Sequence, residues 1–297
     1  MSHHETLEIP AQGTWRAITP AGAQALGTVA ADPDGTLLVS DFDGTLAPIV
    51  PNPEDSRLDP RSGEAFAGLA RRVGKVAVVT GREAEVARRL GGFEQLEGFE
   101  SLVLLGQYGL EEWDASTGEV RVPEAPQSVR EALAELADLL ADPRLPDFCA
   151  GAHLEDKGRA IGVHTRRAAD PAACLSWLQA PLAEVANRHG LVLEPGRNVV
   201  ELRSSSVNKG DAIRTLVERF RPRVVVMMGD DLGDLAAFEA VESLSAQGIV
   251  GIRVVAGSAE QPVVARQADV LCGGPEGVAS WMEDLLAALP STSEDSR

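Results

Sequence analysis

The sequence predicts an α/β fold, in which helices cover a mainly parallel sheet on both faces. Three short segments, at residues 76–79, 102–105 and 224–228, are apolar at every position, which is typical of strands buried on both sides. Segments with helical spacing of apolar residues separate them, and alternating strands and helices favour a parallel sheet. Between residues 112 and 203 the pattern changes to hairpin strands and separate helices, which predicts an inserted α+β domain.

Local sequence features place each core element. Thr19 before Pro20 predicts a helix start, because a capping side chain and a proline favour the first turn. The run at 37–40 predicts a buried strand, and the proline-rich stretch at 48–60 is too irregular for a regular element. The predicted core elements are helices at 20–31 and 62–73, a helix ending at 90, helices at 208–220, 234–241 and 276–289, and strands at 37–40, 76–80, 102–105, 224–230, 249–255 and 270–271.

The middle of the chain is expected to fold as a separate domain. Its predicted elements are a hairpin at 110–122, helices at 129–140 and 171–189, and strands at 152–154, 159–166, 191–193 and 198–202. We therefore expect four regions along the chain. These are a flexible arm at 1–18, a core domain formed by 19–111 and 204–290, an inserted domain at 112–203, and a disordered tail at 291–297.

Composition and charge exclude several kinds of partner. The formal net charge of −18 argues against nucleic-acid binding and against an anionic membrane surface. An anionic substrate would therefore need local positive charge in its site. The three cysteines are widely spaced, which fits a reducing compartment rather than a disulfide framework. The N-terminus lacks the pattern of a signal peptide, and no apolar run approaches the roughly 20 residues that span a bilayer. We expect a cytoplasmic monomer.

Two carboxylates at the end of the first core strand are the strongest indication of a site. Asp41 follows the apolar run, Asp43 comes two residues later, and Gly44 allows a sharp turn. Carboxylates this close repel each other unless a cation or a proton lies between them. The similar stretch at 32–37 contains a proline and follows no apolar strand, so it predicts a turn and no site.

Polar residues also follow other core strands. Thr80, Gln107 and Asp230 end three of them, and parallel sheets bind ligands beyond the carboxyl ends of their strands. Several carboxylate oxygens there suit Mg²⁺, which often shares its ligands with a phosphate. One carboxylate could attack phosphorus, and a second, on the turn, could transfer protons. Thr80 and Lys209, the latter at a helix start, could bind the phosphoryl oxygens.

These segments resemble the four motifs of the haloacid dehalogenase superfamily. The resemblance is carried by residues 41–45, Thr80, Lys209 and residues 229–234. It implies a Rossmann-like core in which Asp41 is the nucleophile and Asp43 the general acid and base. An Asp at position 43, where the ion-pump branch has Thr, implies a phosphatase. The implied ligands of Mg²⁺ are Asp41, Asp43 through its backbone oxygen and Asp230, and Asp234 is a further candidate ligand.

A narrower resemblance, over about residues 35–285, is to the trehalose-6-phosphate phosphatase family. It is carried, in that family's order, by residues 80–82, 106–109, 155–158, 163–166, 196–203, 208–210 and 230–231. It implies hydrolysis of trehalose 6-phosphate through an aspartyl-phosphate, as a step of trehalose biosynthesis, and a cap domain that binds the sugar. The implied substrate-binding residues are Arg82, Gln107, Tyr108, Glu155, Lys157, His164, Arg166, Arg197, Glu201 and Asn208.

The chain departs from that family's pattern at a few positions, and alternatives stay open. Gln107 and Tyr108 stand where the family has Asn-His, which leaves open which side chain contacts the sugar. Arg197 stands where Lys is common, and Gly233 replaces a Thr. Asp231 and Asp234 could also be helix caps. Another sugar phosphate, such as sucrose 6-phosphate or glucosyl-glycerate phosphate, and a non-catalytic phosphosugar-binding regulator are the alternatives.

Overall fold

The computed structural model describes residues 8–124, 126–196, 198–204, 206–258 and 261–291 of the 297-residue chain. The chain divides into two compact units. The first, here called the core unit, comprises the residues up to Val122 and those from Val207 onward, and the second, the inserted unit, comprises Pro123–Ser206. Within the described ranges, no helix combines the length and the apolar character needed to cross a membrane.

The elements follow the predicted alternation of strands and helices. In chain order the strands are β1 (Trp15–Ala17), β2 (Thr36–Ser40), β3 (Lys75–Val79), β4 (Val103–Gly106), β5 (Glu111–Asp114), β6 (Glu119–Arg121), β7 (His153–Asp156), β8 (Ala160–His164), β9 (Val192–Gly196), β10 (Val199–Arg203), β11 (Val224–Gly229), β12 (Val250–Gly257) and β13 (Val270–Gly273). The helices are α1 (Pro20–Ala31), α2 (Pro60–Ala70), α3 (Ala84–Gly91), α4 (Gln127–Ala141), α5 (Pro171–His189), α6 (Lys209–Phe220), α7 (Leu235–Ser243), α8 (Pro262–Ala265) and α9 (Gly274–Ala288).

The core unit is built on a nine-stranded sheet with the order β1-β13-β12-β11-β2-β3-β4-β5-β6. Its central strands, from β13 to β4, are parallel. Strand β2 shows why they are apolar throughout. Leu38 faces an apolar layer that includes α2, α3 and α9, whereas Leu37 and Val39 face a second layer that includes α6, α7 and α8. Both faces are covered, so the predicted α/β class is confirmed.

At both edges of this sheet, the residues that form the strands differ from those expected from the predicted domain boundaries. The hairpin of β5 and β6 was expected mostly within the inserted domain from residue 112, but β5 pairs with β4 and so extends the core sheet. At the other edge, part of the expected flexible arm forms β1, which pairs with β13. Trp15 anchors it, because its indole Nε1 donates to Asp284 at 2.8 Å. Residues 1–7 of the arm and 292–297 of the tail lie outside the described residues.

The inserted unit places two helices against a small antiparallel sheet. Its four strands have the order β7-β8-β10-β9. Apolar side chains of α4 and α5 form one buried cluster with side chains of β8 and β10, including Leu136, Leu178, Ile161 and Leu202. The alternation of β8 and β10 leaves their other face available for polar side chains.

Candidate active site

The predicted site residues of the core unit follow four adjacent strands. Asp41 follows β2, Thr80 follows β3, Gln107 follows β4 and Asp230 follows β11. These strands are neighbours in the order β11-β2-β3-β4, and all four are parallel. Their carboxyl ends therefore lie along one edge of the sheet, where such sheets bind ligands.

Asp41 is fixed and buried at the end of β2. Its N–H donates to the carbonyl oxygen of Met228 at 2.8 Å, and its Oδ1 accepts from the N–H of Phe42 at 2.7 Å. Only 5% of the residue is exposed. Burial raises the pKa of Asp41 well above its ordinary value, and the positive charge of Lys209 opposes that shift without cancelling it. An ionised Asp41 therefore depends on positive charge close to it.

The similar stretch before β2 has a different role. Asp32 lies ahead of the strand, where both of its carboxylate oxygens accept from Arg223 and one accepts from the N–H of Gly35 at 3.1 Å. The hydrogen bond from Arg223 is the main cause that lowers the pKa of Asp32. Asp32 thus stabilises the turn before β2, where the sequence predicted a turn and no site.

Lys209 provides the positive charge beside Asp41. Asn208 caps α6 by accepting from the N–H groups of Gly210 and Asp211, which fixes the following residue. The Lys209 Nζ lies 2.8 Å from Asp41 Oδ1 and 2.7 Å from Asp234 Oδ1. Burial alone would lower the pKa of Lys209, but the charges of Asp234 and Asp41 outweigh it and raise the pKa. Lys209 is therefore an ammonium ion in contact with the carboxylate of Asp41.

Lys209 contacts two members of a group of four carboxylates, here called the carboxylate cluster. Its members are Asp41, Asp230, Asp231 and Asp234, and one oxygen from each lies within 4.8 Å of the others. Burial, followed by repulsion from Asp41, raises the pKa of Asp230 to about 9. Oδ1 of Asp230 is buried, and the described residues give it no hydrogen-bond donor. Crowded carboxylate oxygens, one of which has no donor among the described residues, suit a hard divalent cation, so these residues fit Mg²⁺.

Asp234 holds the other members of the cluster in position. Its Oδ1 accepts from Lys209, and its Oδ2 accepts from the N–H groups of Asp230 at 2.9 Å and Asp231 at 3.1 Å. Asp231 in turn caps a short 3₁₀ turn by accepting from Gly233. Asp234 is fully buried. Its contacts order the loop after β11, and its predicted role as a metal ligand stays a prediction.

The carboxylate of Asp43 binds Arg82 and not the cluster. Arg82 donates from Nε to Oδ2 at 2.6 Å and from Nη2 to Oδ1 at 2.7 Å. The hydroxyl of Ser56 donates to Oδ1 at 3.0 Å. Arg82 was expected to bind substrate, but here its guanidinium holds the expected acid and base. Ligation of a metal by the backbone oxygen of Asp43 stays a prediction.

Thr80 is surrounded by the loop that follows β4. Its carbonyl oxygen accepts from the N–H of Tyr108 at 2.9 Å, and the N–H of Gln107 donates to the Arg82 carbonyl oxygen at 2.8 Å. Gln107 and Tyr108 have φ angles of 44° and 63°, an uncommon conformation for non-glycine residues that often occurs at functional sites. The Tyr108 ring lies against Gly81, where a Cβ atom would be 2.7 Å from the phenol oxygen. The backbone of Tyr108 is thus held beside Thr80, and that of Gln107 beside Arg82, at some conformational cost.

The inserted unit brings four of its predicted substrate-binding residues together, here called the cap cluster. Lys157 Nζ lies 2.5 Å from Glu201 Oε1 and 3.7 Å from Glu155 Oε2, and His164 Nε2 lies 2.7 Å from Glu155 Oε2. Glu155 and Glu201 both pair with Gly162 of the strand between them. Because glycine has no side chain, His164 Nε2 and Glu155 Oε2 occupy the space above it, 2.9 Å and 3.2 Å from where a Cβ atom would lie.

These contacts favour the charged forms of Lys157 and Glu155 in the cap cluster. Burial opposes the ammonium form of Lys157, but Glu201 and Glu155 outweigh it and raise the pKa of Lys157. The hydrogen bond with His164 is the main cause that lowers the pKa of Glu155. His153, which the sequence did not indicate, stacks on His164 with ring centroids 5.0 Å apart. Arg166 is exposed after β8, and Arg197 lies outside the described residues.

Residues 39–269 match the family model of trehalose-phosphatase, which covers more than half of the chain. The chain belongs to the trehalose-phosphatase family. The predicted resemblance to this family is confirmed. The matched residues include both the core motifs and the cap cluster. The substrate of this chain is left to be tested.

Relatives of this trehalose-phosphatase family member differ in length. A Mycobacterium tuberculosis protein called an uncharacterized glycosyl hydrolase is 37% identical over 210 residues, which are 68% of this chain but only 15% of that protein. The Escherichia coli trehalose-6-phosphate phosphatase is 28% identical, covering 86% of this chain and 89% of that protein. The C-terminal domain of Candida albicans trehalose-6-phosphate phosphatase shares the fold, with a TM-score of 0.70, 20% identity, and coverage of 93% of this chain and 100% of that one.

Two side chains next to predicted trehalose-phosphatase site residues were missed by sequence reasoning. Ser56 lies in the proline-rich loop, where irregular spacing gives no periodic pattern to interpret. His153 begins a short exposed strand, and one histidine alone indicates nothing specific. The signal that could have drawn attention to Ser56 is a small polar residue in a loop that directly follows the two-carboxylate turn.

Proposed function

We propose that this protein is a Mg²⁺-dependent phosphatase that hydrolyses trehalose 6-phosphate to trehalose and phosphate. The observation that carries the proposal is the buried contact between Asp41 and Lys209 inside the carboxylate cluster. A nucleophilic carboxylate must be ionised and must approach a negatively charged phosphate, and both requirements need positive charge at this point. Family membership and the E. coli relative support the choice of substrate.

Asp41 and Asp43 carry the two chemical steps. An Asp41 oxygen forms a bond to phosphorus while the bond from phosphorus to the sugar oxygen breaks, and Asp43 gives its proton to the departing oxygen. Water then attacks the phosphorus of the aspartyl-phosphate, Asp43 takes a proton from that water, and Asp41 is released with free phosphate. The protons taken and given by Asp43 balance over one turnover.

Positive charge and hydrogen-bond donors stabilise the transferring phosphoryl group. Lys209 and the hydroxyl of Thr80 are the groups of this chain that we assign to it, since transfer of a phosphoryl group depends mainly on positioning and charge. Asp41, Asp230 and the backbone oxygen of Asp43 would hold Mg²⁺, with Asp234 as a further candidate. When bound, Mg²⁺ supplies Lewis acidity and neutralises charge on the phosphate.

The cap cluster is assigned to the sugar. Carboxylates and an ammonium group that already pair with one another offer both acceptors and donors to sugar hydroxyls. We assign Glu155, Lys157, His164 and Glu201 to this role, and Arg166 and Arg197 on the family resemblance alone. In the core unit, Gln107 and Tyr108 are proposed substrate contacts. Asn208 is a weaker candidate, because its side chain already caps α6.

Phosphate release from a panel of sugar phosphates tests this function. Trehalose 6-phosphate, sucrose 6-phosphate, glucosyl-glycerate phosphate and glucose 6-phosphate would be compared at saturating Mg²⁺. We expect the highest kcat/KM with trehalose 6-phosphate, and a loss of about a thousandfold or more in Asp41→Asn, because that change removes the nucleophile.

Asp32→Asn is the matched control for Asp41→Asn, because Asp32 stands in nearly the same local sequence at the opposite end of β2. It should retain wild-type activity. Preference for another sugar phosphate would refute the substrate, and an Asp41→Asn variant of unchanged activity would refute the mechanism.

A further inference from the structure

The loop between β2 and α2 contacts Asp43, which also binds Arg82 from the segment between β3 and α3. Ser56, in this loop, is 1% exposed. Its hydroxyl lies 3.0 Å from Asp43 Oδ1 and 3.1 Å from the carbonyl oxygen of Pro48. A hydroxyl has one proton to donate, so Ser56 connects the carboxylate to the backbone of the loop through a single shared donor.

This loop is itself anchored at both ends of its course. The N–H of Asp59 donates to the carbonyl oxygen of Leu46 at 3.0 Å, and the N–H of Leu58 donates to that of Leu90 at 3.3 Å. Arg82 Nη2 also donates to the carbonyl oxygen of Pro53 at 2.9 Å. The loop, Arg82 and Asp43 therefore form one connected network, and the loop is also held to Leu46 and Leu90 by hydrogen bonds that do not involve Asp43.

The two oxygens of Asp43 are engaged unequally. Within the described part of the chain, Oδ1 receives donors from Arg82 and Ser56, whereas Oδ2 receives only Arg82 Nε. The fork of Arg82 defines the plane of the carboxylate, and the Ser56 hydroxyl adds a third point of contact outside that fork. Three contacts on a short side chain define its rotamer. They leave Oδ2 as the oxygen with fewer hydrogen-bond donors.

We propose that Ser56 is a positioning residue that sets the orientation of Asp43 for proton transfer to the leaving sugar oxygen. This inference rests on the proposed function, in which Asp43 is the general acid and base. Ser56 does not contact substrate in this role. Its hydroxyl holds Oδ1, and Oδ2 is thereby the oxygen presented to the leaving group.

The dependence of kcat/KM on the leaving group tests this role in Ser56→Ala. For an enzyme with a covalent intermediate, kcat/KM reports the steps up to departure of the first product. A sugar alkoxide needs a proton to leave, whereas 4-nitrophenolate is a stable anion and leaves without one. We expect kcat/KM for trehalose 6-phosphate to fall about tenfold, a part of the typical contribution of general acid catalysis, while kcat/KM for 4-nitrophenyl phosphate stays unchanged.

Ser62→Ala is the matched control. Ser62 is another buried serine near the start of α2, and its hydroxyl has no hydrogen-bond partner among the described residues. Its removal should change neither substrate's kcat/KM. An equal loss for both substrates in Ser56→Ala, or no loss for either, would overturn the proposal, because a general structural defect affects both esters alike.

Two further measurements keep the outcome decisive. If Ser56→Ala does not fold, as judged by thermal unfolding, Ser56→Cys keeps the shape of the side chain with a somewhat larger atom in place of the oxygen. It replaces the hydroxyl by a weak donor, and the same selective loss is expected. If the wild type prefers another sugar phosphate, the substrate of the proposed function fails, and the same ratio is measured with that ester. A wild type that hydrolyses no phosphate ester overturns both proposals.

Discussion

Asp230 shows at the scale of one residue why the carboxylate cluster needs a cation. Its Oδ1 is buried without a donor in the described structure, and a buried anionic oxygen without a partner is energetically costly. Burial raises its pKa to about 9 from an ordinary value of 3.8. Without a cation, the group therefore avoids the cost by taking up a proton. A divalent cation would provide an alternative partner and favour the ionised form.

The uptake of a proton by Asp230 in the absence of a cation predicts how the stability of the protein depends on pH. A carboxyl group whose pKa is raised on folding stabilises the folded state below its unfolded pKa, and this contribution is lost as pH rises toward the folded pKa. For EDTA-treated protein, we expect the free energy of unfolding to fall by on the order of a few kcal/mol between about pH 5 and about pH 9, and the melting temperature to fall with it. Saturating Mg²⁺ should oppose this decrease.

Asp230→Asn provides the control for this pH dependence. The amide resembles the protonated carboxyl group at every pH, so the metal-free variant should have a flatter profile and a smaller response to Mg²⁺. Thermal unfolding followed by circular dichroism would measure both. A metal-free wild-type protein that becomes more stable with rising pH, or an Asn variant with the wild-type slope, would contradict the assignment.

At the scale of an element, the turn after β2 brings the two main motifs into contact. Gly44 has a φ angle of 76°, and a Cβ atom built there would lie 2.1 Å from Asp230 Oδ2. The backbone of the first motif therefore packs directly against the carboxylate of the last one. Only glycine allows both the conformation and the close approach.

Gly44→Ala should for this reason lose more activity than its loss of stability alone would cause. The matched control is Gly118→Ala, because Gly118 has a similar φ angle of 69° but nothing within 4 Å of a built Cβ. Both variants should lose about 1 kcal/mol of stability from the strained conformation. Only Gly44→Ala should also lose activity, by about a hundredfold, because it displaces Asp230. Urea unfolding and phosphate release measure the two effects, and equal activities of the two variants would contradict this argument.

The sequence predicted the elements best where burial alone determines them. Strands β3, β4 and β11 are buried on both faces, so their positions are uniformly apolar and could be recognised without a partner. Strand β1 has three residues, and it is held by residues far away in the sequence, through its pairing with β13 and the hydrogen bond from Trp15 to Asp284. No local pattern encodes such a contact. The hairpin of β5 and β6 was recognised as a hairpin, but its sheet was not, because alternation does not identify the neighbouring strand.

At the scale of the whole molecule, the core part of the candidate active site was predictable because it follows buried apolar strands. Asp41, Thr80 and Asp230 follow apolar strands, and the topology of parallel sheets brings strand ends together. The pairing of Asp43 with Arg82 and Ser56 could not be predicted, because it depends on side-chain rotamers and on an irregular loop. The cap cluster was predicted through the family resemblance, and its close packing over Gly162 became evident only in the structure.

The charge of the whole molecule leads to a prediction about salt. The net charge is −18, and the proposed substrate is also an anion, so long-range repulsion should slow their encounter. Salt screens this repulsion but has little effect on the buried contact of Lys209 with Asp41, because exposed charges are screened more than buried ones. At saturating Mg²⁺, we expect kcat/KM to rise about twofold when salt increases from about 0.02 M to about 0.2 M.

The value of kcat should stay constant over the same range, because it does not include the encounter of enzyme and substrate. An uncharged osmolyte at equal osmolality, which does not screen charge, should leave kcat/KM unchanged. If kcat/KM instead decreased with salt, the field at the site entrance would be positive in spite of the net charge. The local groups led by Lys209 would then dominate the approach of substrate as well as its binding.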